Sequence, residues 1–471
     1  MGSSAPAPDS DEPVTPAGRL FLQPQMNQII YCVIGFKNPI DIDSIKSQVK
    51  SSLMLTHPRF SSLMVRDSHG RERWHKTTGV DVDRHVIILH DPVSDVGVDD
   101  ETAVNNYLAD LSTGPGLPTD KPMWEVHLLI AHKVMVFRIH HALGDGISLM
   151  SMFLASCRRA DDEGKLPTLA SGKSKLSKGA NRNKSFWGLV WGVLVMVWFS
   201  LVFVVEFVLR SLWVCDRKTE ICGGDGVELW PRKLATAKFG LQDMKLVKKA
   251  VPHATINDVL FGVISSGISR YLDHRKPNAL PEGVQITGVA MVNLRKQPGL
   301  QELSDLMRSN SGSSWGNKFG MLLLPIYYHN SKSNADPLAY LKRSKVMIDK
   351  KKQSVEGHFS YKIGLFVMTY LGPKVATLLN YRILCNTSFT ISNILGPQEE
   401  ITLGGNPITF LRASSSSLPH ALTLHMVSYA ERADMQILVA KDIIPDPAFL
   451  AKCFEEALLD MKEAAAAITK S

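Results

Sequence analysis

The sequence contains no C-x-x-C pair, although it has six cysteines: Cys32, Cys157, Cys215, Cys222, Cys385 and Cys453. Thiols scattered through 471 residues read as free side chains in a reducing compartment. They suggest neither a disulfide framework nor a thiolate metal site. Zinc-finger spacing and RNP-like aromatic motifs are also missing. The net charge of +8 therefore points to anionic lipid or a phosphate-bearing substrate and away from nucleic acid. Residues 1–16 are rich in Pro, Ser and acid and have no apolar stretch. They are expected to be disordered and to carry no cleavable signal peptide. Gly2 invites myristoylation, but Pro6 stands where Ser or Thr is needed. No short-period repeat is present.

What the chain does have is one long apolar run. Phe186 to Val205 is 20 residues without a charge; Glu206 interrupts, and Phe207 to Leu209 continues. A helix of that extent spans about 36 Å, against a bilayer hydrocarbon core of ~30 Å. The run is apolar on every side, which suits lipid or, alternatively, a buried core helix. Trp187 and Trp213 stand where the two membrane interfaces fall, with Trp191 and Trp198 between them. Lys173, Lys175, Lys178, Arg182 and Lys184 precede the run; Arg210, Arg217 and Lys218 follow it. The richer upstream flank predicts a cytosolic N-terminal half.

Hydrophobic periodicity gives strands at 28–36, 124–130, 134–139, 284–292, 321–328, 388–393, 408–413, 423–429 and 435–440. It gives helices at 41–55, 102–111, 146–157, 233–250, 255–272, 337–351 and 447–467. Strands and helices interleave on both sides of the apolar run, so the fold class is α/β with mixed sheets. The expected division is an N-terminal lobe at 17–170, a basic linker and apolar segment at 171–218 (apolar part 186–209), and a C-terminal lobe at 219–471.

The chemically most informative stretch is His140-His-Ala-Leu-Gly-Asp-Gly146, directly after the strand Val134–Ile139. Histidine ionises nearest neutral pH, so it is the default proton acceptor in catalysis. A histidine pair alone is more often structural. Other landmarks follow in order: Pro122-Met-Trp-Glu125, Thr255-Ile-Asn-Asp-Val-Leu260 and Asn393-Ile-Leu-Gly-Pro397. Together these motifs resemble the bifunctional wax ester synthase/diacylglycerol acyltransferases, within the CoA-dependent acyltransferases of two-lobed chloramphenicol-acetyltransferase-like fold. Met123 replaces the family's Leu, and Leu395 replaces the first proline of its Asn-Val-Pro-Gly-Pro. The central apolar run is like that of the plant members.

The resemblance implies an acyl-CoA-dependent O-acyltransferase. It would esterify long-chain fatty alcohols to wax esters and diacylglycerol to triacylglycerol. Acyl-CoA is the co-substrate, with no bound cofactor and no metal. His141 is the implied general base and His140 its support. Asp145 is implied to brace the loop by pairing with an arginine, for which Arg295 is the candidate. Gly144 and Gly146 would permit a tight turn. Asn257, whose amide can donate, is the candidate oxyanion contributor, or else a helix cap. Pro122, Trp124, Asp258, Asn393, Gly396 and Pro397 are assigned to the substrate and CoA channel. The basic stretch Arg343–Lys352 is either a solvated helix face or a contact for CoA phosphates or lipid. The implied location is the endoplasmic reticulum membrane, with the plasma membrane second and the catalytic lobes facing the cytosol. Competing readings are a mainly diacylglycerol-directed enzyme, or a non-catalytic lipid-binding or scaffold protein on the same fold.

His141 precedes the apolar run and Asn257 follows it. A single crossing would put them on opposite sides of a bilayer, and Ile363–Cys385, with Lys374 and Arg382, is a poor return span. The sequence therefore predicts monotopic insertion.

Overall fold

The computed structural model of the protein describes residues 11–94, 97–168, 186–295, 315–330, 336–416 and 418–470. Its strands in chain order are β1 (Glu12–Pro13), β2 (Ile29–Phe36), β3 (Ser62–Arg66), β4 (Glu72–Lys76), β5 (Val86–Leu89), β6 (Trp124–Leu129), β7 (Val134–His140) and β8 (Arg158–Arg159). They continue as β9 (Arg232–Gly240), β10 (Gln285–Asn293), β11 (Phe319–Tyr327), β12 (Phe389–Leu395), β13 (Ile401–Leu403), β14 (Asn406–Ser415), β15 (Leu422–Tyr429) and β16 (Arg432–Ala440). The first main sheet has the order β5-β6-β7-β2-β14-β13-β8, the second β11-β10-β12-β15-β16-β9, and β1-β4-β3 form a small third sheet.

Helices α1 (Pro16–Phe21), α2 (Ile42–Ser51), α3 (Asp100–Thr113) and α4 (Gly146–Ala155) belong to the N-terminal half. Asp41 caps α2 and Asp99 caps α3, each carboxylate accepting first-turn N–H groups that lack helical partners. The apolar run is α5 (Phe186–Leu212). Then come α6 (Leu241–Lys249), α7 (Ile256–Arg275), α8 (Leu338–Lys352), α9 (Glu356–Phe366), α10 (Gly372–Cys385) and α11 (Pro447–Lys470).

The expected helix at 233–250 is instead β9 followed by the shorter α6. Residues 232–240 alternate in burial, so β9 completes the second sheet beside β16 and its lysines point outward. Sequence reading also passed over β3, β4 and β5, which are too short for a clear period.

The two halves are interlocked. β14, from the C-terminal half, pairs antiparallel with β2 in the first sheet, Ser415 opposite Ile30. β13 joins the same sheet through β14 and carries β8 on its other edge. Arg412 on β14 reaches Asp434 on β16 at 2.7 Å and Glu101 on α3 at 3.3 Å. The 219–471 lobe therefore lends residues 401–415 to the N-terminal sheet.

Candidate active site

His141 follows β7 at the boundary between the two sheets, its N–H donating to the Gln28 carbonyl at 2.8 Å. A cavity of about 180 Å³ opens there. Its wall takes Ile30 from the first sheet and Met291, Phe319 and Ser392 from the second, with His141, Asp145 and Gly146 at the turn between them. Phe21, the last residue of α1, stacks on the His141 ring with centroids 4.0 Å apart.

The turn is braced by a segment that sequence reasoning missed, Trp315-Gly-Asn-Lys318. Each of its residues contacts the heptapeptide or the helix it opens. Trp315 Nε1 donates to the Leu143 carbonyl at 2.8 Å. The Gly316 carbonyl accepts from Ser148 Oγ at 3.3 Å and also from Arg295. Asn317 Oδ1 lies 3.0 Å from His141 Nδ1, while its Nδ2 donates to the His141 carbonyl at 2.8 Å. The Lys318 N–H donates to Asp145 Oδ2 at 3.0 Å. Gly316 has φ 113°, and a Cβ there would lie 2.8 Å from Arg59 Nη1. Only glycine fits such a position easily. The legible signal was a Trp-Gly-Asn triplet just before an apolar strand.

This bracing fixes the chemistry of the imidazole. With Nδ1–H directed to the Asn317 oxygen, the lone pair lies on Nε2, the nitrogen left to accept a substrate proton. Burial pushes the His141 pKa down from its ordinary 6.5, partly offset by its own backbone carbonyl, by Asp145 and by Asn317. The ring is therefore neutral near pH 7, as a base must be.

His140 points elsewhere. Its Nδ1 accepts from the Ala142 N–H at 3.1 Å, so Nε2–H donates to Asn27 Oδ1 at 2.8 Å. Burial pushes its pKa down to about 3. It ties β7 to the chain before β2 and is no part of the cavity wall.

Asp145 makes no hydrogen bond to His141. Its Oδ1 caps α4 through the Ser148 N–H at 3.1 Å, and its Oδ2 meets Arg295 Nη1 at 2.6 Å. Both side chains are at least nine-tenths buried, so the pair holds the turn shut from beneath. Neither Gly144 nor Gly146 has a positive φ. Their small size matters instead: a Cβ on Gly144 would meet Trp315 at 3.2 Å, and one on Gly146 would meet Ile394 at 3.0 Å.

The remaining motif residues are largely architectural. Trp124 is fully buried, its Nε1 donating to the Phe60 carbonyl at 2.9 Å and its ring stacked on His85 at 3.8 Å. It is core and not a channel wall. Pro122 is buried at the start of β6, its carbonyl accepting from the Trp124 N–H at 2.8 Å. Glu125 of the same motif meets Arg138 at 2.8 Å and Lys121 at 3.0 Å. Thr255, not Asn257, caps α7, in a reciprocal capping box with the buried Asp258. Asn257 is exposed and off the cavity wall; its Oδ1 accepts from Asn393 Nδ2 at 2.8 Å, so it holds Asn393, which does line the cavity. A Cβ on Gly396 would lie 2.2 Å from the Ser428 carbonyl, and the Pro397 carbonyl accepts from the Ala430 N–H at 3.0 Å. These two set the exit of β12. His425 also lines the cavity, its Nδ1 buried without a protein partner and its pKa pushed down to about 4 by burial.

A neutral imidazole with a defined tautomer, in a largely apolar cavity between two sheets, is compatible with acyl transfer between bulky substrates. Sequence comparison narrows this. The wax ester synthase/diacylglycerol acyltransferase catalytic-domain profile matches residues 43–219, and the WS/DGAT C-terminal-domain profile matches 315–462. Wax ester synthase/diacylglycerol acyltransferase 5 of Arabidopsis thaliana is 35% identical over 482 residues, covering 96% of this chain and 94% of that protein.

The chain belongs to the wax ester synthase/diacylglycerol acyltransferase family.

It is thus an acyltransferase, with acyl-CoA and an acyl acceptor as the family's substrates. The solved wax ester synthase/diacylglycerol acyltransferase from Marinobacter aquaeolei VT8 superposes with a TM-score of 0.60 at 16% identity, covering 97% of this chain and all of that one. A starter condensation domain of rhizomide synthetase in complex with C8-CoA gives 0.52 at 12% identity, covering 97% and 95%. At these identities the two structures speak for the fold, which is the expected two-lobed mixed α/β arrangement.

Among the described residues two helical stretches are long and apolar enough to cross a membrane, Val190–Leu212 and Glu356–Cys385, the second including the Ile363–Cys385 stretch expected to be a poor span. The second contains α9 and α10, separated by a π-helical turn at Val367–Leu371 and by Gly372 at φ 84°. Most of the basic residues of α8 form the solvated face, with Arg343, Lys350 and Lys352 exposed, and Lys351 is the exception. Lys351 is buried against Glu356 at 2.8 Å, and Lys342, Arg343 and Lys350 line a surface cavity that includes Phe203 of α5.

Proposed function

We propose that this protein transfers the acyl group of a long-chain acyl-CoA to a long-chain fatty alcohol, giving a wax ester, and also to diacylglycerol. His141 is the general base. The alcohol oxygen attacks the thioester carbonyl while its proton passes to His141 Nε2. The tetrahedral intermediate then expels the CoA sulfur, which takes that proton back to leave as the thiol. The thioester is already activated, so no enzyme nucleophile is needed. General-base assistance of this kind is typically worth ~10²–10⁴-fold. Asp145 and Arg295 hold the loop, and Ser392, Asn393 and His425 offer polar groups along the cavity.

The observation that carries this reading is the Asn317–His141 bracket, which leaves Nε2 as the acceptor inside a largely apolar cavity. The test is ester formation from labelled palmitoyl-CoA by wild type and His141→Ala, in a host that makes no neutral lipid, with hexadecanol or diacylglycerol supplied. Wild type is expected to make ester and His141→Ala to lose it. Ester formation by His141→Ala removes the base assignment. No ester from wild type with either acceptor removes the reaction.

The same reading places the enzyme on the cytosolic face of the endoplasmic reticulum, inserted monotopically. Residues before and after α5 share the first sheet, through β2 and β14, which supports both lobes lying on one side of a bilayer. The 169–185 link back to α5 carries five basic residues, a sequence lipid does not accept. From Ser200 onward one side of α5 touches the body, Ser200 Oγ accepting from the Val355 N–H at 3.2 Å and Phe207 packing edge-on against Phe359, while the other side stays bare, Leu201 58% and Val205 45% exposed. The part before that contact, Phe186–Phe199, is about 21 Å of helix, and the bare apolar side continues past it to Leu212. Trp191 is 69% exposed there and Leu194 56%. Such a surface costs free energy in water and is at home in one leaflet.

A further inference from the structure

A second cavity, of about 260 Å³, lies next to the His141 cavity. One side is α1, another is the start of β11, and the outer side is the bent helical segment 356–385, including Gly364, Leu365 and Met368. Leu20, Phe319, Met321 and Asn380 line both cavities, so the two meet at these side chains. The outward face of the same helical segment is bare and apolar: Phe366 is 52% exposed, Tyr370 73%, Leu371 56% and Leu378 51%. It lies against α5, which packs on α9 and α10. An apolar cluster also runs from Phe207 of α5 through Leu323 and Ile383 to Met26, Leu384 and Leu418. The last three line the His141 cavity. This packed apolar core lies between α5 and the catalytic cavity.

We propose that the space between α1 and the 356–385 helical segment is the entrance for the acceptor lipid. The acceptor slides in from the leaflet past Leu20 and Asn380, separately from the acyl-CoA. The proposal rests on the acyltransferase reading above and names the route by which one of its two substrates arrives. The physical reason is the alkyl chain. Each methylene that passes through water costs about 0.8 kcal/mol relative to an apolar surrounding. Leu20, Phe319, Met321, Leu365 and Met368 line the route on the apolar side, with Lys318, Ser360 and Asn380 beside them, so most of the alkyl chain is spared that cost. The route also presents the hydroxyl, the polar end nearest the membrane surface, on the side where Phe21 of α1 lies against the catalytic ring. α1 therefore has two faces in the proposal, Leu20 at the threshold and Phe21 on the base.

The test plugs the entrance. Gly364 lines the outer cavity, and a Cβ there meets nothing within 4 Å, so a large side chain can enter the space without moving the backbone. Full-length Gly364→Trp is compared with wild type in vesicles holding hexadecanol, with palmitoyl-CoA added in water. The expected result is a fall of about tenfold or more in kcat/KM for hexadecanol, with KM for palmitoyl-CoA unchanged. Unchanged hexadecanol kinetics in a folded Gly364→Trp overturns the route, and so does a loss that appears in KM for palmitoyl-CoA instead. If Gly364→Trp does not fold, Asn380→Phe narrows the neck between the cavities and carries the same expectation. A wild type that makes no ester from any acceptor overturns the underlying reaction. An active wild type with a plug-insensitive variant overturns only the entrance.

Discussion

Asn317 grips His141 at two points, accepting from the ring nitrogen at 3.0 Å and donating to the main-chain carbonyl at 2.8 Å. Ring orientation and tautomer are set by one side chain from the other half of the chain. Replacing it with leucine keeps the bulk and removes both bonds. A base in the wrong tautomer costs up to ~10⁴-fold in a catalytic triad, so Asn317→Leu is expected to lose about 10²-fold or more in kcat with little change in KM. Asn317→Asp restores the acceptor and adds negative charge, which favours the protonated ring. Its acid limb in a plot of kcat/KM against pH is expected at higher pH than in wild type. Full activity in Asn317→Leu would remove Asn317 from this role.

Asp145 and Arg295 form a buried pair that carries load and no proton. Breaking such a pair by removing one partner costs about 3–5 kcal/mol. Asp145→Ala and Arg295→Met are each expected to lower unfolding stability by that order, with the double variant losing much less than the sum. A double-mutant cycle by denaturant unfolding reads this directly. If Asp145 were instead a catalytic relay, Arg295→Met would leave stability intact.

Several histidines are neutral because they are buried. Burial pushes His140 and His420 down to about 3, and His57 and His425 down to about 4. For each, the folded pKa lies below the unfolded value near 6.5. Their contribution is therefore fully present above pH 6.5 and is lost as pH falls from there toward 3–4, where the unfolded chain binds protons that the folded one does not. Thermal unfolding midpoints are expected to drop steeply across that window and to be flat from pH 7 to 8. His141 is lowered in the same direction, so the acid limb of activity is expected below the ordinary histidine value of 6.5. An acid limb well above 7 would contradict this.

Gly396 faces a carbonyl at a distance no methyl group tolerates, 2.2 Å. Gly396→Ala must push β12 and β15 apart, and overpacking of this kind typically costs ~1–3 kcal/mol. The expected signature is a lower unfolding midpoint, with kinetic losses that follow the fraction folded.

Leu194 and Val197 project from the free half of α5. Lysine at the centre of a membrane helix costs roughly 2.5–3.5 kcal/mol. The double change to lysine is expected to move the protein from the vesicle fraction to the supernatant in flotation, while leaving the distant His141 site assembled. Unchanged flotation would point to attachment through the 356–385 segment alone.

The α/β class, the order of most elements and the turn that carries His141 were legible because they depend on local patterns. Alternation exposes β15 and β16, an acid before a helix exposes α2 and α3, and a histidine at a strand end exposes the turn. What escaped depends on contacts distant in sequence. Trp124 looked like a channel residue because motifs do not reveal which way a side chain faces; the strand buries it against His85. Asn257 was the oxyanion candidate because its amide can donate, and no motif named a partner for the His141 ring. The true partner, Asn317, sits in a loop before β11 with no periodic signal of its own, some 176 residues from His141. The stretch 233–250 read as one helix because the sheet partner that settles the conformation of β9, β16, lies nearly 200 residues further on.

The pairing of β14 with β2 also sets an order of events during synthesis. β7 can pair with β2 early, but the other edge of β2 stays open until residues 406–415 have left the ribosome. α5 emerges long before that. An open strand edge and a bare apolar helix are both aggregation hazards while the chain is incomplete. Early seating of α5 in a membrane would hide one of them and hold the nascent chain at a surface until its last strands arrive to close the other.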